Sequence, residues 1–246
     1  MMNNIFASKT VQQEQGPTTT MINKYIFDVD GTLTPSRQRI DKEFAVWFSK
    51  FCDTHAVYLV TGSDRPKTIE QVGEYIYHQC KRVYNCSGND VWERDVNVRT
   101  SEWALPNDVR MWLTEMLQNS IFGLRTGLHF ENRGGMCNFS VVGRNATLGE
   151  RKYYYKWDCE HLEREKIAIE LERLFPALSA TVGGETGIDI YPLGLDKSQI
   201  MVDFADSDKL FFFGDKICAS GNDLSIAQAV KAHNGVAYPV EDWQET

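Results

Sequence analysis

Short apolar runs alternate with longer amphipathic stretches over roughly the first ninety residues of the chain. Apolar runs at residues 25–27, 56–60 and 83–84 have the length and composition of buried strands. Between these runs, apolar side chains recur at helical spacing, first at Ile40, Phe44, Trp47, Phe48 and Phe51 and then at Ile69, Val72 and Ile76. Pro66 suits the first turn of the second helix. The alternation of strand and helix predicts a parallel sheet.

A different pattern fills the middle of the chain. Apolar positions at helical spacing predict two helices, one over Val109, Trp112, Leu113, Met116 and Leu117 and one over Ile167, Leu171, Leu174 and Phe175. Strand-like runs at 128–131 and 137–142 flank two glycines, which predicts a β-hairpin. Further strands are predicted near 180–182 and 188–191. We interpret this part as a separate α+β module of about ninety residues.

The end of the chain returns to the first pattern, with strands predicted at 209–213 and 235–238 and a helix from about Asn222. The predicted fold is therefore α/β, with a Rossmann-like parallel-sheet core domain and an inserted α+β domain. The first residues are polar and lack the apolar centre of a secretory signal, so we predict a mobile extension there. The predicted units are the extension at 1–21, the core domain at 22–90 and 190–246, and the inserted domain at 91–189.

Composition excludes several classes of function. The net charge of −8 argues against broad nucleic-acid binding, and no apolar run is long enough to predict a membrane span. The six cysteines include no CxxC pair, which favours reduced thiols in a cytoplasmic protein over disulfides or a zinc site. A site for an anionic substrate would have to concentrate positive charge locally.

Acidic and hydroxyl side chains follow three of the predicted core strands. Asp28 and Asp30 follow the first strand, Thr61 follows the second, and Asp215 follows the strand near the end of the chain. Each residue alone could be a helix cap or a turn residue. In an open parallel sheet, however, the carboxyl ends of the strands meet, and ligands bind there. Clustered carboxylates need a compensating cation, and oxygen ligands suit Mg²⁺.

These residues fall in four motifs that resemble the signature motifs of the haloacid dehalogenase superfamily. The motifs are D-x-D-G-T-L-T at 28–34, V-T-G-S-D at 60–64, D-K at 196–197 and G-D-x₇-D at 214–223. The resemblance implies that Asp28 is the nucleophile that forms an aspartyl-phosphate, and that Asp30 is the general acid and base. It also implies that Thr61 and Lys197 hold the phosphoryl oxygens. Alone, Lys197 could be a solvated lysine at a helix start.

The same resemblance implies a magnesium site. Mg²⁺ would be bound by Asp28, Asp215 and the backbone carbonyl of Asp30, with Asp223 supporting these ligands. The physical reason holds for any phosphoryl transfer to a carboxylate. A phosphate dianion repels a carboxylate nucleophile, so a metal ion and a lysine must neutralise that repulsion before attack.

The inserted module closely resembles the cap domain of eukaryotic-type phosphomannomutases. The resemblance runs through N-R-G-G-M-C-N-F-S-V-V-G-R at 132–144, G-E-R at 149–151 and T-V-G-G-E-T-G-I-D-I-Y-P at 181–192, and it covers roughly residues 22 to 240. It implies that three cap arginines grip the phosphate that is not transferred, and that other residues contact the sugar. The arginines are Arg133, Arg144 and Arg151, and the other substrate-binding residues are Asn138, Asp189 and Gly62. Alone, each arginine could be an ordinary surface residue.

Three departures from the family pattern leave the reaction open. Thr61 stands where the family has glycine, Cys86-Ser87-Gly88 replaces Glu-Asn-Gly, and Gly187 replaces a serine that faces the substrate. The resemblance implies a mutase that interconverts mannose 6-phosphate and mannose 1-phosphate, with a hexose bisphosphate as activator and a homodimer formed through the cap. A Mg²⁺-dependent sugar phosphatase would use the same core residues but admit water to the intermediate. A non-catalytic sugar-phosphate-binding protein is the third hypothesis.

Overall fold

The computed structural model describes residues 22–219 and 221–246, so the extension predicted at 1–21 lies outside the described residues. Two sheets organise the described chain, one of seven strands and one of four. Eleven strands and seven α-helices are numbered here in chain order. Within the described residues, no helix combines the length and the apolar composition that crossing a membrane requires.

The larger sheet forms the core domain and is mainly parallel. Its strand order is β11-β10-β1-β2-β3-β4-β5, and the neighbouring pairs from β11 to β3 all run parallel. The strands are β1 (Asn23–Phe27), β2 (Ala56–Val60), β3 (Arg82–Asn85), β4 (Asp90–Glu93), β5 (Val96–Thr100), β10 (Lys209–Gly214) and β11 (Val236–Pro239). The helices of this part are α1 (Lys42–Thr54), α2 (Arg65–Val72), α3 (Glu74–Gln79) and α7 (Leu224–Ala232). The predicted α/β architecture is confirmed.

Helix starts and ends in the core domain follow local chemistry. The Asp41 carboxylate accepts the N–H groups of Glu43 and Phe44 and so begins α1. Asp64 accepts the N–H of Lys67 and begins α2, which makes Asp64 a helix cap. The single helix predicted over Ile69, Val72 and Ile76 is wrong in one respect, because Gly73 breaks it. Gly73 has φ of +83°, a left-handed conformation that glycine adopts without steric cost.

The smaller sheet is antiparallel, with the order β6-β7-β9-β8. Its strands are β6 (Phe130–Arg133), β7 (Met136–Phe139), β8 (Leu178–Gly183) and β9 (Gly187–Pro192), and the helices in this part of the chain are α4 (Asn107–Asn119), α5 (Leu148–His161) and α6 (Glu163–Leu174). The hairpin and the helices α4 and α6 agree with the sequence pattern. Helix α5 was not predicted, although the Thr147 and Glu150 side chains cap it reciprocally.

Both predicted domain boundaries fall inside hydrogen-bonded strands. The boundary at 90/91 lies in β4, which pairs with β3 and continues into β5, so the core sheet extends to Thr100. The boundary at 189/190 lies in β9, which pairs along its length with β8. A domain boundary belongs in a connection between elements, since few contacts cross there. The division into core and cap stays a prediction, with its limits moved out of β4 and β9.

Candidate active site

Three carboxylates converge at the carboxyl edge of the core sheet. Asp28 follows β1, Asp215 follows β10, and Asp223 directly precedes α7. Strands β1 and β10 are parallel neighbours with Phe27 opposite Phe213, so the two acids leave the same edge of the sheet, Asp215 one residue further along. Each of the three side chains offers an oxygen, and these oxygens lie within 4.8 Å of one another. Sequence reasoning predicted this convergence for Asp28, Asp30 and Asp215, but the Asp30 carboxylate is not part of the cluster.

Lys197 neutralises part of this acidic cluster. Its side chain is 1% exposed, and Nζ lies 2.6 Å from Asp28 Oδ1 and 2.7 Å from Asp223 Oδ1. Burial alone would lower the pKa of Lys197, but Asp223 and Asp28 outweigh it and raise the pKa. Lys197 is therefore a charged, buried side chain, and the alternative of a solvated lysine is wrong.

The cluster fits a divalent cation. Burial raises the pKa of Asp28 well above its usual range despite the opposing charge of Lys197, and the carboxylates of Asp223 and Asp215 add to the rise. A Cβ at Gly31 would collide with the Asp215 carboxylate, so glycine leaves room for Asp215 beside the Asp28 loop. Both Asp223 oxygens are already engaged, one by Lys197 and one by the Lys216 N–H. Asp28 and Asp215 stay the predicted ligands, with Asp223 predicted to support them.

The Asp30 carboxylate lies outside this acidic cluster and has neutral partners. Oδ1 accepts the backbone N–H of Arg37 at 2.6 Å and the Gln71 side-chain amide at 3.0 Å. Oδ2 accepts the Ser63 hydroxyl at 3.2 Å. The predicted use of the Asp30 carbonyl as a metal ligand stays a prediction. The three donors fix the orientation of the Asp30 carboxylate, as its predicted role of general acid and base requires.

The loop after β2 brings hydroxyl groups to the same edge. Thr61 is buried, and its Oγ1 accepts the Ser63 N–H at 3.1 Å. The Thr61 N–H donates to Tyr84 at the end of β3, which fixes the loop to the sheet. Both Thr61 and Ser63 line the cleft described below, together with Gly62. Their position is consistent with the predicted role of Thr61 in holding phosphoryl oxygens.

The three predicted cap arginines line the opposite wall of the same cleft. Arg133 donates to the Gly62 carbonyl at 2.9 Å, a contact from the smaller sheet to the β2 loop. Arg133 and Arg144 share the Glu131 carboxylate, with Arg144 Nη2 at 2.7 Å from Oε2. Arg151 Nε lies 3.3 Å from Glu185 Oε2. All three guanidinium groups are largely buried, so none is an ordinary surface arginine.

This wall carries excess positive charge. Burial lowers the pKa of Arg144 to about 10, and the neighbouring charges of Arg133 and Arg37 add to the effect. Burial would raise the pKa of Glu131, but Arg133 and Arg144 outweigh it and lower the pKa. Among the described residues, Arg144 Nε and Arg151 Nη1 are buried without a hydrogen-bond partner. Buried unpaired donors beside like charges are what an anion such as phosphate would satisfy.

A pair of polar side chains lies between the acidic and basic walls. Asn138 donates to Asp189 Oδ1 at 2.6 Å, and both side chains are 4% exposed. A Cβ at Gly62 would lie 3.0 Å from Asp189 Oδ2, so glycine lets the β2 loop approach this carboxylate. A Cβ at Gly187 would collide with the Asn138 amide, which explains why no side chain stands there in this arrangement. The pair suits recognition of hydroxyl groups.

One cleft of about 330 Å³ contains nearly all of these groups. Among the predicted site residues, its lining includes Asp28, Asp30, Thr61, Gly62, Arg133, Asn138, Arg144, Arg151, Asp189 and Asp215, whereas Lys197 and Asp223 lie beneath it. Sequence reasoning missed Arg37, Lys67, Glu131, Tyr155 and Glu185, which also line the cleft. Arg37 and Lys67 lie close in sequence to the D-x-D-G-T and T-G-S-D motifs, and this proximity could have indicated that they belong to the site.

Comparison with known proteins gives consistent matches. A family model described as eukaryotic phosphomannomutase matches residues 44–246. Phosphomannomutase of Saccharomyces cerevisiae is 30% identical over 82% of this chain and 83% of its own length. Phosphomannomutase of Galdieria sulphuraria is 32% identical, covering 82% of this chain and 84% of its own length. Human phosphomannomutase 1 is also 32% identical, covering 82% of this chain and 81% of its own length.

Solved structures show the same fold at low sequence identity. The IMP-bound, N-terminally truncated IMP-nucleotidase of Plasmodium falciparum has a TM-score of 0.61 and 14% identity, over 92% of this chain and 66% of that chain. A phosphatase of the haloalkanoate (HAD) enzyme superfamily from Bacteroides thetaiotaomicron has a TM-score of 0.53 and 19% identity, over 89% of this chain and 85% of that one. At these identities the likeness is one of fold.

Proposed function

The chain belongs to the eukaryotic phosphomannomutase family, and from this premise we propose that it interconverts mannose 6-phosphate and mannose 1-phosphate through an aspartyl-phosphate on Asp28. It is an enzyme of the haloacid dehalogenase superfamily. One observation carries the proposal: an acidic, lysine-bearing wall and an arginine-rich wall face each other across one cleft. A sugar with a phosphate at either end has a partner on both walls.

The core wall supplies the chemistry of transfer. Asp28 Oδ1 is held by Lys197, while Oδ2 meets, among the described residues, only the Thr32 hydroxyl at 3.3 Å, so Oδ2 is the oxygen available to attack phosphorus. As the new bond to phosphorus forms, the bond to the leaving sugar oxygen breaks, and Asp30 gives that oxygen a proton. Mg²⁺, held by Asp28 and Asp215, would supply positive charge to the phosphoryl oxygens when bound.

The cap wall fixes the other end of the substrate. Arg133, Arg144 and Arg151 grip the phosphate that is not transferred, and Asn138 and Asp189 contact sugar hydroxyls. After transfer to Asp28, the sugar turns over and takes the phosphoryl group back at its other end. A hexose bisphosphate is the expected activator, because it can phosphorylate Asp28 and prime the cycle. We also propose a homodimer through the cap and a cytoplasmic location, the latter supported by six unpaired cysteines.

A Mg²⁺-dependent sugar phosphatase is the second candidate. The observation that favours it is the ion pair between Arg151 and Glu185, which already engages part of the Arg151 guanidinium group. A weaker grip on the distal phosphate would shorten the time for which the cleft keeps water from the intermediate. Gly187 adds to this, because it offers no hydroxyl to the substrate. A non-catalytic binding protein is disfavoured, since the nucleophile, the acid and the lysine all have competent partners.

One coupled assay separates the two enzymatic candidates. Mannose 1-phosphate is supplied with Mg²⁺ and a trace of hexose 1,6-bisphosphate, and both mannose 6-phosphate and free phosphate are followed. For a mutase we expect isomerisation to outrun phosphate release and to depend on the bisphosphate. Release of phosphate with no bisphosphate-stimulated isomerisation would show that the protein is a phosphatase and not a mutase. If neither product formed, the protein would be a binding protein.

Arg133→Ala and Arg144→Ala should each lower turnover of hexose phosphates but spare a small aryl phosphate. The arginines meet only the distal end of the substrate, and an aryl ester has nothing there to grip. A lost charge-assisted hydrogen bond costs about 1.5–3 kcal/mol, or roughly ten- to a hundredfold in kcat/KM. The measurement is kcat/KM of each variant for both substrates, expressed as a ratio to the wild type.

Arg173→Ala is the matched control. This arginine also belongs to the part of the chain that forms the smaller sheet, but its side chain is 65% exposed and pairs with Glu170. It should leave both substrates unaffected, because exposed pairs contribute little. If the Arg133 and Arg144 variants lose kcat/KM equally on hexose and aryl phosphates, these residues do not bind the distal phosphate.

A further inference from the structure

Gln71 is a buried polar residue that lies beside the Asp30 carboxylate, and no sequence motif pointed to it. It occupies the last turn of α2 and is 1% exposed. Its Nε2 donates to Asp30 Oδ1 at 3.0 Å and to Thr34 Oγ1 at 3.1 Å. Its backbone carbonyl accepts the Ile40 N–H at 2.8 Å. The side chain is thus fixed at its backbone and at its amide.

The two oxygens of Asp30 consequently differ. Oδ1 receives two N–H donors, the Gln71 amide and the Arg37 backbone at 2.6 Å. An oxygen that accepts two fixed N–H groups has no room for a proton of its own. Within the part of the chain that the structure describes, Oδ2 meets only the Ser63 hydroxyl, at 3.2 Å, and a hydroxyl can turn to donate or to accept. Asp30 and Ser63 both line the cleft, whereas Gln71 lies behind them.

We propose that Gln71 is a positioning residue that holds Asp30 by Oδ1, so that Oδ2 faces the cleft as the oxygen that exchanges the proton. The inference rests on the proposed function, in which Asp30 is the general acid. As Asp28 forms its bond to phosphorus, the phosphorus–oxygen bond to the leaving group breaks. The proton on Asp30 Oδ2 passes to the leaving oxygen, and Asp30 is left as a carboxylate that accepts from Gln71, Arg37 and Ser63.

The orientation of the Asp30 carboxyl group matters most for substrates whose leaving group must be protonated to depart. A sugar alkoxide or a phenolate is a poor leaving group and needs the acid as its bond to phosphorus breaks. A dinitrophenolate leaves without protonation. Without the Gln71 amide, the Asp30 side chain keeps one fixed donor and can rotate about its own bonds. Displacing a reacting group by about 1 Å can cost about a hundredfold in rate.

The test compares Gln71→Met with the wild type on phenyl phosphate and on dinitrophenyl phosphate, following release of the phenol as kcat/KM. Methionine keeps the length of glutamine and removes the donor. We expect a loss of roughly ten- to a hundredfold on phenyl phosphate and less than about threefold on dinitrophenyl phosphate. The ratio of the two values within one variant does not depend on how much protein is folded. Equal losses on the two esters, or no loss on phenyl phosphate, would overturn the proposal.

Two further variants complete the design. Gln79→Met removes a similar amide, which donates to the Ser49 carbonyl and to Asp53 in α1, and it should not change the ratio. Asp30→Asn should show the same leaving-group dependence as Gln71→Met, but more strongly. If Asp30→Asn shows no such dependence, the acid role of Asp30 fails. If it does and Gln71→Met does not, only the role of Gln71 fails.

Discussion

Asp28→Asn is expected to lower phosphoryl transfer by about 10⁴-fold or more while leaving the fold intact, because loss of a covalent nucleophile normally costs several powers of ten. Asp28 directly follows β1, with Oδ1 held by Lys197 and Oδ2 accepting the Thr32 hydroxyl at 3.3 Å. An amide of the same shape keeps the packing, but its nitrogen cannot attack phosphorus and is a weak ligand for Mg²⁺.

The measurement is phenol release from an aryl phosphate together with isomerisation of mannose 1-phosphate, each at saturating Mg²⁺. Circular dichroism melting should give a Tm equal to that of the wild type or above it, because the substitution removes one of three crowded carboxylates. Asp95→Asn is the control, since this aspartate is 75% exposed and pairs with Arg65 away from the cleft. Residual activity above about 1% of the wild type would exclude Asp28 as the nucleophile.

The acidic wall could be predicted from the sequence because simple geometry produces it. Parallel strands end at one edge of a sheet, so residues that directly follow such strands must come close together. Asp28, Thr61 and Asp215 each directly follow a strand, and the hydrophobic pattern located all three strands. The position of Lys197 beneath the cleft needed the resemblance as well, because it begins a short 3₁₀-helix that has no apolar periodicity.

Contacts between distant segments could not be predicted in this way. Gln71 meets Asp30 across 41 residues, and Arg133 meets the Gly62 carbonyl across 71. No local pattern encodes such pairs, because they depend on how complete elements pack. Nor could the sequence show that Glu131 pairs with Arg144, because that contact joins β6 to the segment beyond β7.

One helix and one hairpin were missed for different physical reasons. Helix α5 has three of its aromatic residues at consecutive positions, Tyr153 to Tyr155, so no apolar stripe stands out, and Tyr153 is 62% exposed. The hairpin of β4 and β5 lies at the edge of the core sheet, and every residue of β5 is exposed. An edge strand with no buried face carries little hydrophobic signal.

Removal of divalent metal should reduce activity to background, and added Mg²⁺ should restore it. The three carboxylates of the acidic wall are faced by two lysines, Lys197 and Lys216, and a phosphate dianion would add two more negative charges. Attack by Asp28 on phosphorus is blocked by repulsion until a further cation is present. Full activity after exhaustive chelation and dialysis, with metal content checked, would exclude the metal from the reaction.

The rise in Tm on addition of Mg²⁺ tests the same site without relying on turnover. A ligand that binds only the folded protein stabilises it by RT ln(1 + [L]/Kd), or about 2.7 kcal/mol at a hundred times Kd. For a chain of this size, that is a rise in Tm of roughly 5–10 °C.

Asp215→Asn should abolish the rise, because it removes a ligand, while Asp95→Asn should preserve it. Asp223→Asn should diminish the rise without removing it, because both Asp223 oxygens already accept from Lys197 and Lys216. A full rise in the Asp215 variant would move the metal away from the three acids.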